Sequence, residues 1–125
     1  MKSIYTLSIL LVLLGMQTGF SQLASVIPKP DLVKSLDDVS DLGFSKEQND
    51  KLIEQNESFV NDLFSIVDGD QSEDEKKSAL RLLKKENDSK LDNLLGFDGA
   101  KKYRKKMKKT LRPYKRKMKL MKFVL

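Results

Sequence analysis

Apolar residues recur at steps of three and four along much of this chain, which is the spacing of one face of an α-helix. The clearest run covers 45–67, and its apolar positions are Leu52, Ile53, Phe59, Val60, Leu63, Phe64 and Val67. A second run has Leu80, Leu83, Leu91, Leu94 and Leu95, and an earlier, shorter one has Leu32, Leu36 and Val39. The pattern therefore predicts an all-α protein, a small bundle or cradle of about four helices.

Cap and turn residues set the expected helix boundaries. Two capping boxes mark helix starts, and they consist of Ser45 with Gln48 and Ser72 with Glu75. In each box the serine oxygen accepts from a free amide of the first turn. Asp31 is the expected cap of the first short helix, which should end near Gly43, since glycine tolerates the left-handed conformation found after a helix.

The last helix is predicted to begin at Asp98 and to be long, kinked and basic. Its apolar positions form one stripe at helical steps and are Tyr103, Met107, Leu111, Tyr114, Met118 and Met121. Pro113 interrupts the stripe because its ring clashes with the carbonyl of Lys109. The helix must either kink there or restart with Thr110 as a new cap.

Charge is divided sharply between the two parts of the chain. Residues 101–122 hold thirteen lysines and arginines and no acid, whereas 22–100 hold eighteen acidic and ten basic residues. Like charges on neighbouring turns repel, so a one-signed helix needs something negative nearby. The protein's own acidic half, an anionic partner and a membrane surface all meet that need, and the chain is expected to be a binding protein.

The N-terminus has the features of a secretory signal peptide, assigned to residues 1–21. Lys2 precedes an apolar run, and the small residues Gly19 and Ser21 suit cleavage before Gln22. The run is much shorter than the roughly 20 residues that span a bilayer, which disfavours a membrane anchor. We expect a periplasmic or secreted protein with an extended, mobile lead over 22–30 and a single helical domain over 31–125.

The sequence Leu-Gly-Phe followed by a capping residue occurs twice, at 42–45 and at 95–98. The first copy resembles the L-x-L-T-x-x-Q signature of the Spy/CpxP-like periplasmic stress proteins through Leu42, Phe44, Ser45 and Gln48. The second copy resembles that family's repeat of the signature through Leu95, Phe97 and Asp98, with Lys101 in place of the glutamine. The helix order and spacing over 31–122 are also similar to those of the family.

This resemblance implies a four-helix periplasmic protein that forms an antiparallel, cradle-shaped homodimer. Spy-like members bind unfolded clients on the concave face without ATP, and other members act in envelope-stress signalling as partners of membrane sensor proteins. Some members bind zinc through histidine or cysteine. Both residue types are absent from this chain, so no metal is predicted.

The last helix is the predicted client-binding surface. Its apolar contacts would be Tyr103, Met107, Leu111, Tyr114 and Met118, and its steering cations include Lys101, Arg104, Lys105, Lys108 and Arg112. Methionine adapts to many shapes, and positive charge speeds encounters with acidic chains. The same stripe is also what a core or a dimer interface would need. As an alternative function, the basic helix would lie on an anionic membrane surface.

Other functions find little support in the sequence. Without histidine or cysteine the familiar triads and thiol nucleophiles are absent, and there is no glycine-rich phosphate loop, so we predict neither an enzyme nor a cofactor. The acidic turn at 68–74 has Glu73 where a calcium loop requires glycine. Nucleic acid is disfavoured because the basic helix lacks an aromatic platform and the protein is expected to be exported.

Overall fold

The computed structural model describes Leu23 and residues 26–125. The helices in this part of the chain are α1 (Lys29–Leu36), α2 (Lys46–Val67), α3 (Glu73–Thr110) and α4 (Arg112–Lys117), followed by a 3₁₀ helix (Lys119–Phe123). No strand occurs among the described residues. The predicted all-α fold is confirmed, whereas the expected signal peptide and its cleavage point lie outside the described residues.

Helix α3 is broken at Gly96, whose φ of 73° and ψ of 172° are not helical. We call residues 73–95 its first arm and residues 97–110 its second arm. The arms fold back on each other, because Arg104 on the second arm contacts both Asp88 and Asp92 on the first. The break lies two residues before Asp98, where the last helix was predicted to begin, and glycine is the residue that adopts this positive φ without strain.

The four long segments form an up-and-down bundle. Helix α2 runs antiparallel to the first arm, as the hydrogen bonds from Gln48 to Leu94 and from Gln55 to Asn87 show. Helix α1 is antiparallel to α2: Lys29 lies over the Phe64 ring, and the Leu36 carbonyl accepts from Asn56. The second arm then packs against α1 and the first arm, which closes the core.

The core contains most of the predicted apolar positions. The first helix contributes Leu32 and Leu36 and the turn after it contributes Val39, and all three are buried as expected. Ile53 is an exception, with 46% of its surface exposed, and Leu82, which is not one of the predicted positions, is 57% exposed. A bundle helix buries only one stripe, and these two residues lie outside it.

The N-terminal part of the domain differs from the sequence prediction. Helix α1 begins after Pro28, so Asp31 lies in its first turn and is not its cap, and the helix ends at Leu36, well before Gly43. Proline is tolerated in a first turn because the amide that it lacks has no partner there.

The lead that was expected to be mobile contacts the bundle through two of its described residues. Leu23 and Ile27 are completely buried. The Leu23 amide donates to the Asp68 carboxylate at 3.2 Å, which ties the lead to the end of α2. Large aliphatic side chains in this segment gain enough from burial to hold it against the bundle.

The predicted interruption at Pro113 is confirmed, and of the two alternatives, a kink or a restart, the structure shows a restart without the expected Thr110 cap. Helix α4 has Pro113 in its first turn and no side-chain cap. The Thr110 hydroxyl instead donates to the Lys106 carbonyl at 3.1 Å, within its own helix. Met118 adopts an extended conformation, so the stripe is not carried by one continuous helix, and Met121 is buried from the 3₁₀ segment.

Across Leu23 and residues 26–125, no helix is both long enough and apolar enough to cross a membrane.

Candidate functional site

The second arm of α3 presents two opposite faces. Its buried face consists of Ala100, Tyr103, Met107 and Leu111. Its exposed face is cationic, and we define the basic stripe as Lys101, Lys102, Lys105 and Lys109 together with Arg112 at the start of α4. The separation follows from the helical period, which places residues three and four apart on the same side.

Tyr103 is part of a buried polar network and not of an open surface. Its hydroxyl donates to the Leu36 carbonyl at 2.8 Å, and its ring is 2% exposed. The Asn56 amide donates to the same carbonyl at 3.2 Å and to the Asp37 carboxylate at 2.8 Å. Burial raises the pKa of the Tyr103 phenol far above its usual value, with a further small contribution from Asp37. The network satisfies the carbonyl at the end of α1.

Three of the apolar residues predicted to contact clients are therefore core residues. Tyr103, Met107 and Leu111 are 2%, 5% and 3% exposed within a single chain. Tyr114 and Met118 are half-buried against the same core, and the Tyr114 and Ser35 hydroxyls lie 3.2 Å apart. The core interpretation of this stripe fits the structure. The structure does not fit the use of these residues as an open apolar surface, because each side chain already contacts other residues of the bundle.

Two cations of the basic segment are neutralised inside the molecule. Arg104 is half-buried and donates to Asp92 at 2.8 Å and to Asp88 at 3.3 Å. Lys106 contacts Asp38 at 3.7 Å and also pairs with Asp41. The hydrogen bond from Lys106 lowers the pKa of the Asp41 carboxyl, and the same bond raises the pKa of Lys106. These pairs attach the second arm to the first arm and to the turn after α1.

The acidic half of the protein leaves most of the basic segment unmatched. Of the thirteen cations in 101–122, only Arg104 and Lys106 have a carboxylate within 4.0 Å among the described residues. The predicted steering cations Lys101, Lys105, Lys108 and Arg112 are all exposed. One side of the stripe borders a groove of about 390 Å³ whose opposite wall includes Asp41 and Leu42. The basic stripe is thus an open cationic surface on the outer side of the second arm and the start of α4.

The two Leu-Gly-Phe joints meet at one end of the bundle. Gly43 and Gly96 share a φ of 73°. The first joint forms the predicted capping box: Ser45 accepts from the Gln48 amide at 3.1 Å, and the Gln48 side chain accepts from the Ser45 amide at 3.0 Å. Gln48 also donates to the Leu94 carbonyl at 3.3 Å, which links this cap to the end of the first arm.

The phenylalanines of the two joints have different surroundings. Phe44 is half-buried and lies close to Gly99, where an added Cβ would come within 3.3 Å of the ring. Phe97 is 78% exposed, and Asp98 beside it is also exposed, whereas Leu95 is buried. Phe97 lies one helical turn before Lys101, so an aromatic ring stands at the end of the basic stripe.

Sequence reasoning did not identify Asn56 as a central residue. It is 1% exposed and connects α1, α2 and the second arm through its amide. Its place on the apolar stripe of α2, four residues after Leu52, was the available signal. A polar residue at a core position requires buried partners.

Metal binding finds no support in the described residues, which contain no cluster of three or more potential ligand side chains. Comparison with protein-family models, with curated proteins and with solved structures gives no match for this chain. The fold and the site thus define a small all-α bundle with one open cationic face, and its function is argued from that face.

Proposed function

We propose that this chain is an exported, Spy/CpxP-like binding protein that holds acidic, partly unfolded protein segments on its basic stripe without ATP. The observation that carries the proposal is the stripe itself, where four exposed lysines of the second arm and Arg112 at the start of α4 have no carboxylate in ion-pair distance among the described residues. The resemblance at Leu42, Phe44, Ser45 and Gln48 supports the family and the periplasmic setting.

The contacts in this proposal are mainly electrostatic. The apolar seam of the second arm is closed, so Phe97 is the large apolar side chain that remains beside the cations. An acidic segment would gain long-range attraction from the stripe and a modest apolar contact from this ring. Such binding is weak, fast and tolerant of sequence, which suits clients without a fixed shape.

An anionic membrane surface is the second candidate, since a cationic face also attracts acidic lipid headgroups. Insertion of an amphipathic helix requires a free apolar face. The apolar face of the second arm is occupied by the core, so only Phe97 would enter the lipid. The structure therefore favours an acidic protein segment over a membrane.

A binding titration with a disordered, glutamate-rich peptide tests the proposal. The test variant replaces three stripe residues by glutamine, at Lys101, Lys102 and Lys105. The matched control removes three exposed lysines elsewhere, at Lys46, Lys85 and Lys90. Both variants lose the same net charge, so any difference between them reports the position of the charges.

The stripe variant should bind the peptide about tenfold more weakly than the control, and the affinity of the unaltered protein should fall as salt is raised. Equal loss in both variants would mean that only net charge matters and would contradict the proposal. A co-sedimentation experiment with anionic and neutral vesicles completes the test. Binding to anionic vesicles together with no binding to the peptide would favour the membrane instead.

A further inference from the structure

A second feature of the molecule, separate from the basic stripe, is a pocket between the two arms of α3 and the C-terminal segment. Its volume is about 230 Å³. Most of its uncharged lining is apolar and consists of Leu36, Phe59, Leu91, Met107, Leu111 and Val124, while Asn87 and Tyr103 add polar atoms. An engineered apolar cavity of about 150 Å³ holds benzene, and drug-sized pockets begin near about 300 Å³. The pocket is therefore suited to one small ligand.

The mouth of this pocket is positively charged. Its charged lining side chains are Lys84, Arg104, Lys108, Lys115 and Asp88, and the terminal carboxylate of Leu125, which also lines the pocket, is a second anionic group. Asp88 accepts from Lys84 at 3.0 Å and from Arg104 at 3.3 Å. Lys108 and Lys115 have no carboxylate within 4.0 Å in the described part of the chain, so the mouth carries excess positive charge.

The surroundings of Lys115 also indicate an excess of positive charge at the mouth. Its side chain is half-buried, and burial lowers the pKa of its ammonium group, helped by repulsion from Lys108, Lys84 and Arg112. A half-buried cation near other cations is unfavourable unless an anion is present. A bound carboxylate at the mouth would remove that cost.

We propose that this pocket binds an amphipathic anion of the fatty-acid class, with the aliphatic chain in the apolar interior and the carboxylate between Lys108 and Lys115. Apolar walls and a cationic mouth match the two ends of such a molecule. The proposal does not depend on the basic stripe, since these two lysines are not among its residues.

Titration with decanoate below its micelle concentration, followed by calorimetry and by methyl NMR spectra, tests this assignment. Decanol and decyltrimethylammonium keep the chain and change the head, and acetate keeps the head and removes the chain. Decanoate should saturate at one molecule per chain and should shift the methyl signals of Leu91, Met107 and Val124. The three other ligands should bind about tenfold more weakly or not at all.

The pocket variant carries Lys108→Gln and Lys115→Gln, and its control carries Lys101→Gln and Lys105→Gln. The pocket variant should lose about tenfold in decanoate affinity, whereas the control should keep it. For the glutamate-rich peptide, the control should lose affinity and the pocket variant should keep it, so the two proposals can be distinguished. Decanol binding as tightly as decanoate, equal loss in both variants, or no saturable binding would each overturn the fatty-acid proposal.

Discussion

The phenol oxygen of Tyr103 lies 2.8 Å from the carbonyl oxygen of Leu36, although the two residues are separated by 67 positions in the chain. This bond joins the second arm of α3 to the end of α1, where helix geometry leaves carbonyls without partners. It also explains why a tyrosine occupies a core position. The apolar ring fills space, and the hydroxyl satisfies a buried acceptor.

Replacing Tyr103 by phenylalanine should destabilise the fold by about 1–3 kcal/mol, because the change removes a buried donor while the ring remains. Chemical denaturation followed by circular dichroism measures the free energy of unfolding. Tyr114→Phe is the control, since that hydroxyl is half-buried, and its effect should be smaller. Equal effects at both positions would contradict the role given to Tyr103.

The same phenol predicts a loss of stability at alkaline pH. Its folded pKa is raised above the ordinary value of 10.0, so its contribution is complete below about pH 10. As the pH rises further, the unfolded phenol ionises while the folded one stays protonated, and the free energy of unfolding falls. The fall should be steeper for the unaltered protein than for Tyr103→Phe, since lysine deprotonation affects both equally. Parallel curves would argue against the burial of this hydroxyl.

Gly96→Ala should cost about 1–3 kcal/mol, because its φ of 73° and ψ of 172° lie in a region that is open essentially to glycine alone. The free energy of unfolding should drop by this amount, although an added Cβ would meet no atom within 4 Å. Asn93→Ala, at an exposed helical position of the first arm, is the matched control and should stay within about 0.5 kcal/mol. A neutral result at Gly96 would mean that the bend is not fixed by this residue.

Met107→Ala should destabilise the protein by about 2–5 kcal/mol, because Met107 is 5% exposed and its removal leaves a cavity. Lys105→Ala lies two residues earlier on the exposed face and should have little effect on stability. Thermal or chemical unfolding of both variants checks the assignment of the two faces. If Met107→Ala were as stable as the parent chain, the methionine would be surface-exposed in solution.

The raised pKa of Asp68 predicts how the stability of the protein changes as the pH rises from acid toward neutral. Burial raises its pKa above the ordinary value of 3.8, and the hydrogen bond from Leu23 opposes that shift only in part. Its contribution to stability is therefore complete below 3.8 and is lost as pH rises through the raised pKa. Asp68→Asn removes this dependence while keeping an acceptor for Leu23. The variant should gain stability relative to the parent as the pH rises above 3.8, and a relative loss there would reverse the sign argued here.

Local signals predicted much of the fold. The capping box at Ser45, the break at Gly96 and the interruption near Pro113 depend on backbone geometry that nearby residues determine. The end of α1 was missed because it depends on distant partners, namely Asn56 and Tyr103, which bond the Leu36 carbonyl. Helix ends that are set by tertiary contacts leave only a weak trace in a single sequence.

The candidate site was predicted in part. The cationic side of the last helix was evident from composition, and the exposed stripe agrees with it. Whether the apolar side faces the core or the solvent was not evident, because a core-facing helix and a binding surface have the same three-and-four spacing. The pocket with Lys108 and Lys115 at its mouth was not predicted either, since it requires residues from both arms of α3 and from the C-terminal segment.

The bend at Gly96 has a consequence for how the lysines meet a ligand. Because the inner side of the second arm is packed in the core, the backbone positions of its outer lysines are set before any encounter. A disordered basic tail would have to give up chain entropy on association, whereas this arm has already lost that entropy during folding. Its complexes should therefore form with little change in helix content, and mixing with an acidic peptide should leave the far-ultraviolet circular dichroism of the protein nearly unchanged.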